Sequence, residues 1–206
     1  GRIVRAVRIP VTADIEAGFG GAPDEVAESC LAVLEAGAVG VNLEDRSRDR
    51  ARLSDIVVQS ERIQAVKEAA ARAGGALVVN ARTDVFLGSI GAPETRLDEA
   101  VRRCNAYRAA GADCLFVPGV ADDETIARLA NAIEGPLNVL AVPGTPPVAR
   151  LASLGVRRVS LGSGPMRATM GLLRRIAREL LETGTYAALT SDAIPYEEAN
   201  RLFTGG

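Results

Sequence analysis

A parallel α/β fold of the (β/α)8 TIM-type barrel kind is what this 206-residue chain predicts, with six βα units visible and a helix at the carboxyl end. Three observations lead there. Short apolar runs alternate with helix-period stretches along the whole chain, with no linker-like segment between them. Three helix-to-strand joints repeat one form: Ala36-Gly37-Ala38, Ala110-Gly111-Ala112 and Leu154-Gly155-Val156. Polar residues gather just after several different apolar runs, as at the carboxyl rim of a barrel. A doubly wound sheet would concentrate them at one switch point.

The first strand is expected at about 11–15, inside Pro10-Val11-Thr12-Ala13-Asp14-Ile15-Glu16-Ala17-Gly18-Phe19-Gly20. Asp14 and Glu16 are two apart, so on an extended strand both side chains share a face. Two neighbouring acids are costly unless a cation compensates them. The pair therefore points to a hard divalent metal held through oxygen ligands and water, the alternative being an edge strand with solvated acids. A helix is expected over Asp24 to Glu35, then a strand at about 38–43 that ends on Glu44-Asp45. Val57 to Ala73 reads as a helix and 76–81 as a strand ending on Arg82-Thr83-Asp84. The pattern repeats with a helix over Glu94 to Ala110, a strand at 113–118 and a helix over Asp122 to Ile133. It closes with a strand at 137–142, a helix over Pro147 to Leu154, a strand at 157–161 and a helix over Met166 to Thr183. In the three repeated joints the glycine ends the helix in a left-handed residue. No GxGxxG follows the first strand, which removes the dinucleotide-binding signature.

Composition excludes several classes of function. A formal net charge of −2 leaves no basic footprint for nucleic acid. No run of about eighteen apolar residues exists to cross a membrane, and residues 1–10 are too charged for a signal peptide. Cys30, Cys104 and Cys114 are odd in number and lack CxxC spacing, as expected of reduced, buried thiols in a cytoplasmic protein. The chain has no histidine, so imidazole bases, His zinc sites and Ser-His triads are excluded. Its one lysine, Lys67, lies in a helical stretch and is expected to be solvated rather than a Schiff-base nucleophile. Carboxylates, arginines, hydroxyls and thiols remain, with whatever metal they hold.

The chain resembles the isocitrate lyase/phosphoenolpyruvate mutase superfamily. The resemblance is carried by Val11 to Gly20, by Gly40-Val41-Asn42-Leu43-Glu44-Asp45 and by Val79-Asn80-Ala81-Arg82-Thr83-Asp84. Ala112 to Gly119, Leu137 to Ala141 and Gly155 to Ser160 continue it in order. It implies an enzyme of the lyase type that acts on small 2-oxo or 2-hydroxy diacids through an enolate-like intermediate, with Mg²⁺ (or Mn²⁺) as cofactor. Asp14 then matches the acid that binds the metal directly, while Glu16 and Glu44 match acids acting through metal-bound water. Arg82 matches the arginine that grips a substrate carboxylate or phosphonate, a task its planar fork suits. Asn42 stands where the lyases often carry a histidine, which makes it a substrate-binding candidate; local turn bonding is its other reading.

Two departures matter. The lyases carry a Lys-Lys/Arg-Cys-Gly-His motif soon after the Glu-Asp pair, and here Arg46 to Asp55 contains no cysteine, lysine or histidine. The family also begins with two further βα units, so this chain is expected to be an incomplete barrel domain over 1–206. By the same resemblance, residues 185–206 form a short helix and a Pro-containing turn that contact another subunit of a homo-oligomer, a dimer or tetramer. Two other readings stay open: a barrel enzyme that binds a phosphorylated metabolite near Gly162-Ser163-Gly164, and a non-catalytic homologue.

Overall fold

The structure, a computed structural model, describes residues 1–47 and 52–204. Six strands form one parallel sheet: β1 (Thr12–Asp14), β2 (Gly40–Glu44), β3 (Val78–Arg82), β4 (Cys114–Phe116), β5 (Leu137–Leu140) and β6 (Val156–Ser160). Their spatial order is their order in the chain, β1-β2-β3-β4-β5-β6. The helices between them are α2 (Pro23–Glu35), α3 (Ile56–Arg72), α4 (Arg96–Ala109), α5 (Asp123–Ala132) and α6 (Val148–Ser153). A first helix, α1 (Arg2–Ala6), precedes β1. Neighbouring helices touch in sequence order, α2 on α3, α3 on α4 and α4 on α5. A right-handed crossover that always steps one strand onward keeps its helices on one face, so this is a singly wound sheet. The doubly wound alternative, with helices on both faces, is not what forms.

Local chemistry explains the element ends. Pro23 opens α2, and the Glu25 carboxylate accepts from the Gly21 and Ala22 N–H groups at 2.7 and 3.0 Å. Asp55 caps α3 by accepting from Val57 N–H at 2.8 Å, and Asp122 caps α5 from Thr125 N–H at 2.8 Å. The repeated joints take the left-handed turn expected of them, with φ 89° at Gly37, 104° at Gly111 and 96° at Gly155.

Strand alternation sorts the two faces of the sheet. Val41, Leu43, Val79, Ala81, Leu115 and Val139 are buried in the core that the helices cover. Asn42, Glu44, Asn80, Arg82, Phe116 and Asn138 alternate with them and so lie on the opposite, interior face. Lys67 departs from expectation. Its ammonium reaches Asp113 at 2.8 Å and the Leu77 carbonyl at 3.0 Å, a half-buried tie between α3 and the starts of β3 and β4. Cys30, Cys104 and Cys114 are free and buried, as predicted.

The chain divides into two compact units, Gly1–Ser160 and Leu161–Gly206. The second contains α7 (Gly164–Thr183), α8 (Ala187–Thr190) and α9 (Tyr196–Thr204). The tail therefore holds two helices where one was expected. Gly184 ends α7 in a left-handed residue, and the Glu179 carboxylate accepts from Ala187 and Ala188 N–H to start α8.

Candidate functional site

The interior face becomes charged at the carboxyl ends of β2 and β3. Glu44 and Arg82 are register partners there, and the Arg82 Nη1 lies 3.1 Å from Glu44 Oε2. Two residues on, Asp84 takes the other edge of the guanidinium, with Nε donating at 2.6 Å and Nη2 at 3.1 Å. Phe116, the partner of Arg82 on β4, lies beneath it with its ring centroid 5.8 Å from Cζ. Burial would lower the Arg82 basicity, but its bonds to Asp84 and the charges of Glu44 and Asp14 outweigh burial and hold it above its ordinary value. These contacts engage three of the five N–H donors of a guanidinium.

Asp14 ends β1 in register with Asn42, which places it on the same face. Glu16 is not on that strand. The strand stops at Asp14, the Ile15 side chain turns into the core, and Glu16 adopts a left-handed backbone with φ 49°. The Glu16 N–H donates to Asp14 Oδ1 at 3.0 Å and its carbonyl accepts from Glu44 N–H at 2.8 Å. The Asp14 carboxylate thus caps a turn at the Glu16 backbone, and the shared face that extended alternation predicted for the two acids does not form. Neither forms an ion pair among the described residues, while Glu44 pairs with Arg82, and Asp84 with Arg82 and Arg46. A cleft of about 960 Å³ is lined by Glu16, Phe19, Glu44, Arg46, Arg62 and Arg103 among others, but not by Asp14, Asn42 or Arg82.

Sequence reasoning missed the layer that supports these groups. Asp45 is fully buried; its Oδ1 accepts from Asp84 N–H at 3.0 Å. Its Oδ2 accepts from the Tyr107 hydroxyl at 2.8 Å and from Arg103 at 3.2 Å. Arg103 also donates to the Ser54 carbonyl at 2.9 Å and to Glu99 at 2.6 Å. Burial pushes the Asp45 carboxyl up, against the lowering effect of these partners, and burial beside Asp45 pushes the Tyr107 phenol well up. The available signal was the pairing of an acid at position 45 with a tyrosine and an arginine one helical turn apart on α4.

The donor chemistry around Asp14 suits a hard divalent cation. All candidate ligands are carboxylate oxygens, and the described residues hold no group of three or more His, Cys, Asp or Glu side chains arranged to bind a metal. Mg²⁺ commonly takes only one or two carboxylates directly and keeps several waters, so the predicted set fits it with Asp14 as a direct ligand and Glu16 and Glu44 acting through water. Among the described residues Asn42 makes no local turn bond; its Oδ1 accepts from Asn80 Nδ2 at 2.9 Å. Gly162, Ser163 and Gly164 form the turn into α7. The region where the lyase motif would fall includes residues 48–51, which lie outside the described residues; on its flanks Arg46 and Leu53 pair as an isolated antiparallel bridge.

A parallel α/β sheet with acids and an arginine at successive strand ends is the frame of an enzyme, here of the lyase or mutase class that works on small acids. The chain belongs to the phosphoenolpyruvate phosphomutase family, within the isocitrate lyase/phosphoenolpyruvate mutase superfamily: the family model matches residues 1–181. An uncharacterized protein of Mycobacterium tuberculosis is 34% identical over 200 residues, covering 94% of this chain and 72% of that protein. Oxaloacetate decarboxylase of Chromohalobacter salexigens is 32% identical over 211 residues, covering 96% and 70%. A crystal structure described as a lyase/mutase from Burkholderia cenocepacia superposes with a TM-score of 0.87 at 38% identity, covering 96% of this chain and 70% of that one. Among the described residues no helix is long and apolar enough to cross a membrane.

Proposed function

We propose that this protein is a Mg²⁺-dependent enzyme that cleaves a small 2-oxo or 2-hydroxy diacid through an enolate-like intermediate, on a (β/α)8 barrel of which this chain supplies six units. The observation that carries this reading is the charge balance at the strand ends. Glu44 and Asp84 are matched by Arg82 and Arg46, whereas Asp14 and Glu16 have no ion-pair partner among the described residues. Two unmatched carboxylates beside an arginine fork offer one place for a divalent cation and one for a ligand carboxylate. Asp14 would hold the metal directly, and Glu16 and Glu44 through water; when bound, the metal supplies Lewis-acid stabilisation of an enolate oxygen.

The chain's own residues bind and orient. Arg82 binds the ligand carboxylate, and Asp84 and Phe116 prevent the guanidinium from rotating away. An arginine already ordered by its neighbours loses little freedom on binding, and this lowers the entropic cost of recognition. The tail, 185–206, is the proposed contact with another subunit. The test is turnover of a panel of 2-oxo and 2-hydroxy diacids in Mg²⁺, with Asp14→Ala as the variant. Metal-dependent turnover should vanish in that variant while its thermal unfolding matches the wild type. Full activity in Asp14→Ala, or in excess chelator, would count against the reading.

A further inference from the structure

The wall of the 960 Å³ cleft contains an arginine that the reading above leaves unused. Arg62, on α3, lines it together with Glu16, Gly21, Glu44 and Ser54. It is half-buried and makes no ion pair among the described residues. Its Nε and Nη2 donate to the Gly21 carbonyl at 3.2 and 2.6 Å. Its Nη1 donates to the Ser54 hydroxyl at 3.1 Å and to Gln59 Oε1 at 3.2 Å, so every acceptor it uses is neutral. Burial lowers its basicity. A cation with no carboxylate to offset its desolvation is a costly way to tie loops together. What the guanidinium offers there is shape: donors on two edges of one rigid plane, which a lysine lacks.

The bonds close a ring. Gln59 lies fully buried one turn before Arg62, and its Nε2 donates to the Glu44 carbonyl at 3.2 Å. Its amide can face only one way, since its oxygen serves Arg62 and its nitrogen Glu44. The Glu44 N–H donates to the Glu16 carbonyl at 2.8 Å. From Glu16 the chain runs on to Gly21, whose carbonyl returns to Arg62 and whose N–H donates to Glu25 at 2.7 Å. Within that run Glu16, Gly18 and Phe19 all hold left-handed backbone, with φ of 49°, 96° and 57°. A left-handed glutamate or phenylalanine is strained and persists only where its surroundings hold it. Glycines on both sides of Phe19 give the segment freedom to relax. Arg62 holds the far end of this segment and, through Gln59, the Glu44 peptide as well.

We propose that Arg62 and Gln59 are positioning residues that fix Glu16 and Glu44 relative to one another, so that both carboxylates reach the water shell of one divalent cation. The proposal rests on the metal reading above. A purely structural tie would hold the loops against unfolding and leave the metal affinity of the folded protein unchanged.

The test titrates the protein with Mn²⁺ and reads free metal by electron paramagnetic resonance, at a temperature well below the unfolding of every variant. Arg62→Ala should weaken Mn²⁺ binding on the order of tenfold, the loss typical when a group that orients metal ligands is removed. Arg62→Lys disturbs the fold least; it keeps the charge but not the fork, and should show the same loss. Guanidinium at millimolar, non-denaturing concentration can enter Arg62→Ala from the cleft, and should restore part of its affinity while leaving the wild type unchanged. Amide exchange provides a second readout that involves no metal. The Glu44 N–H should exchange faster in Arg62→Ala and Arg62→Lys than in the wild type, and the Thr125 N–H, capped by Asp122 at the start of α5, should not. Wild-type affinity in either folded variant, or no recovery with guanidinium, would overturn the positioning role. Unchanged Glu44 exchange in both variants would overturn the ring itself, whatever the metal does. A wild type that binds no Mn²⁺ would instead overturn the metal reading on which the proposal stands.

Discussion

Replacing Arg103 by methionine tests the layer that holds the site in place. Asp45 is completely buried and the Arg103 side chain is only 9% exposed, so the pair is shielded from solvent on both sides. Removing one partner of such a pair costs about 3–5 kcal/mol, because the other charge stays buried without compensation. Asp45 keeps its bonds from Tyr107 and from Asp84 N–H in the variant. This places the expected loss at the lower end, about 3 kcal/mol. For a unit of this size that is a fall in Tm of roughly 6–12 °C. The loss should depend on pH with a definite sign. Burial already holds the Asp45 carboxyl above its ordinary value, and removing the Arg103 cation raises it further. A carboxyl raised in the folded state contributes stability below its unfolded pKa and loses it as pH rises through the folded one. The gap between Arg103→Met and wild type should therefore be widest near neutrality and close as the solution is acidified. Thermal unfolding followed by circular dichroism at several pH values reads this directly. The double variant Asp45→Asn/Arg103→Met should recover part of the loss, since the amide has no charge to strand. A Tm within about 2 °C of wild type at neutral pH, or strictly additive single losses, would refute the argument.

Two further outcomes follow from the helix start at α2 and from the buried thiols. The Ala22 and Gly21 N–H groups hold the Glu25 carboxyl below its ordinary value of 4.5. The stabilisation it gives is thus present above that value and lost as pH falls through the lower folded pKa. Hydrogen exchange at Gly21 and Ala22 should accelerate over that acid range in the wild type, relative to the intrinsic rate, and show no such step in Glu25→Gln. Burial pushes the Cys30 thiol up to about 12, and Cys104 and Cys114 are raised by the same cause. A disulfide reagent at pH 8 should label none of the three in the native protein and all three after denaturation; rapid native labelling would show that these positions open.

The strands and helices were largely legible because each element carries its own signal. The apolar run ending on Glu44 and the glycines at 37, 111 and 155 act locally, and the structure places β2 and the helix ends where those residues predict. The site was legible only where a residue's role shows in its type. Arg82 and Glu44 stand out as charges after apolar runs, and they meet as register partners. The Asp14–Glu16 geometry did not, since Ile15 keeps the expected alternation and no alternation rule anticipates the left-handed Glu16 that follows it. Asp45, Arg103 and Tyr107 were missed because their meaning is a contact across 58 and 62 residues of chain. Asn80 and Asn138 did leave a trace. An amide in the middle of a buried apolar strand needs a partner, and two such strands imply each other.

Because each strand hydrogen-bonds only with its predecessor and successor in the chain, the sheet can be laid down in the order of synthesis. Every added unit finds its docking edge already present, and no loop must wait for a distant strand to return. Some ties reach further back: Arg103 and Tyr107 run from α4 to Asp45 at the end of β2. Asp84, and through it Arg82, gains its full support only once that helix has docked. A nascent chain halted before α4 would therefore have the acids and the arginine in place without the layer that immobilises them. The full support of the proposed site thus arrives with the fourth helix, well after the strands that carry its charged residues.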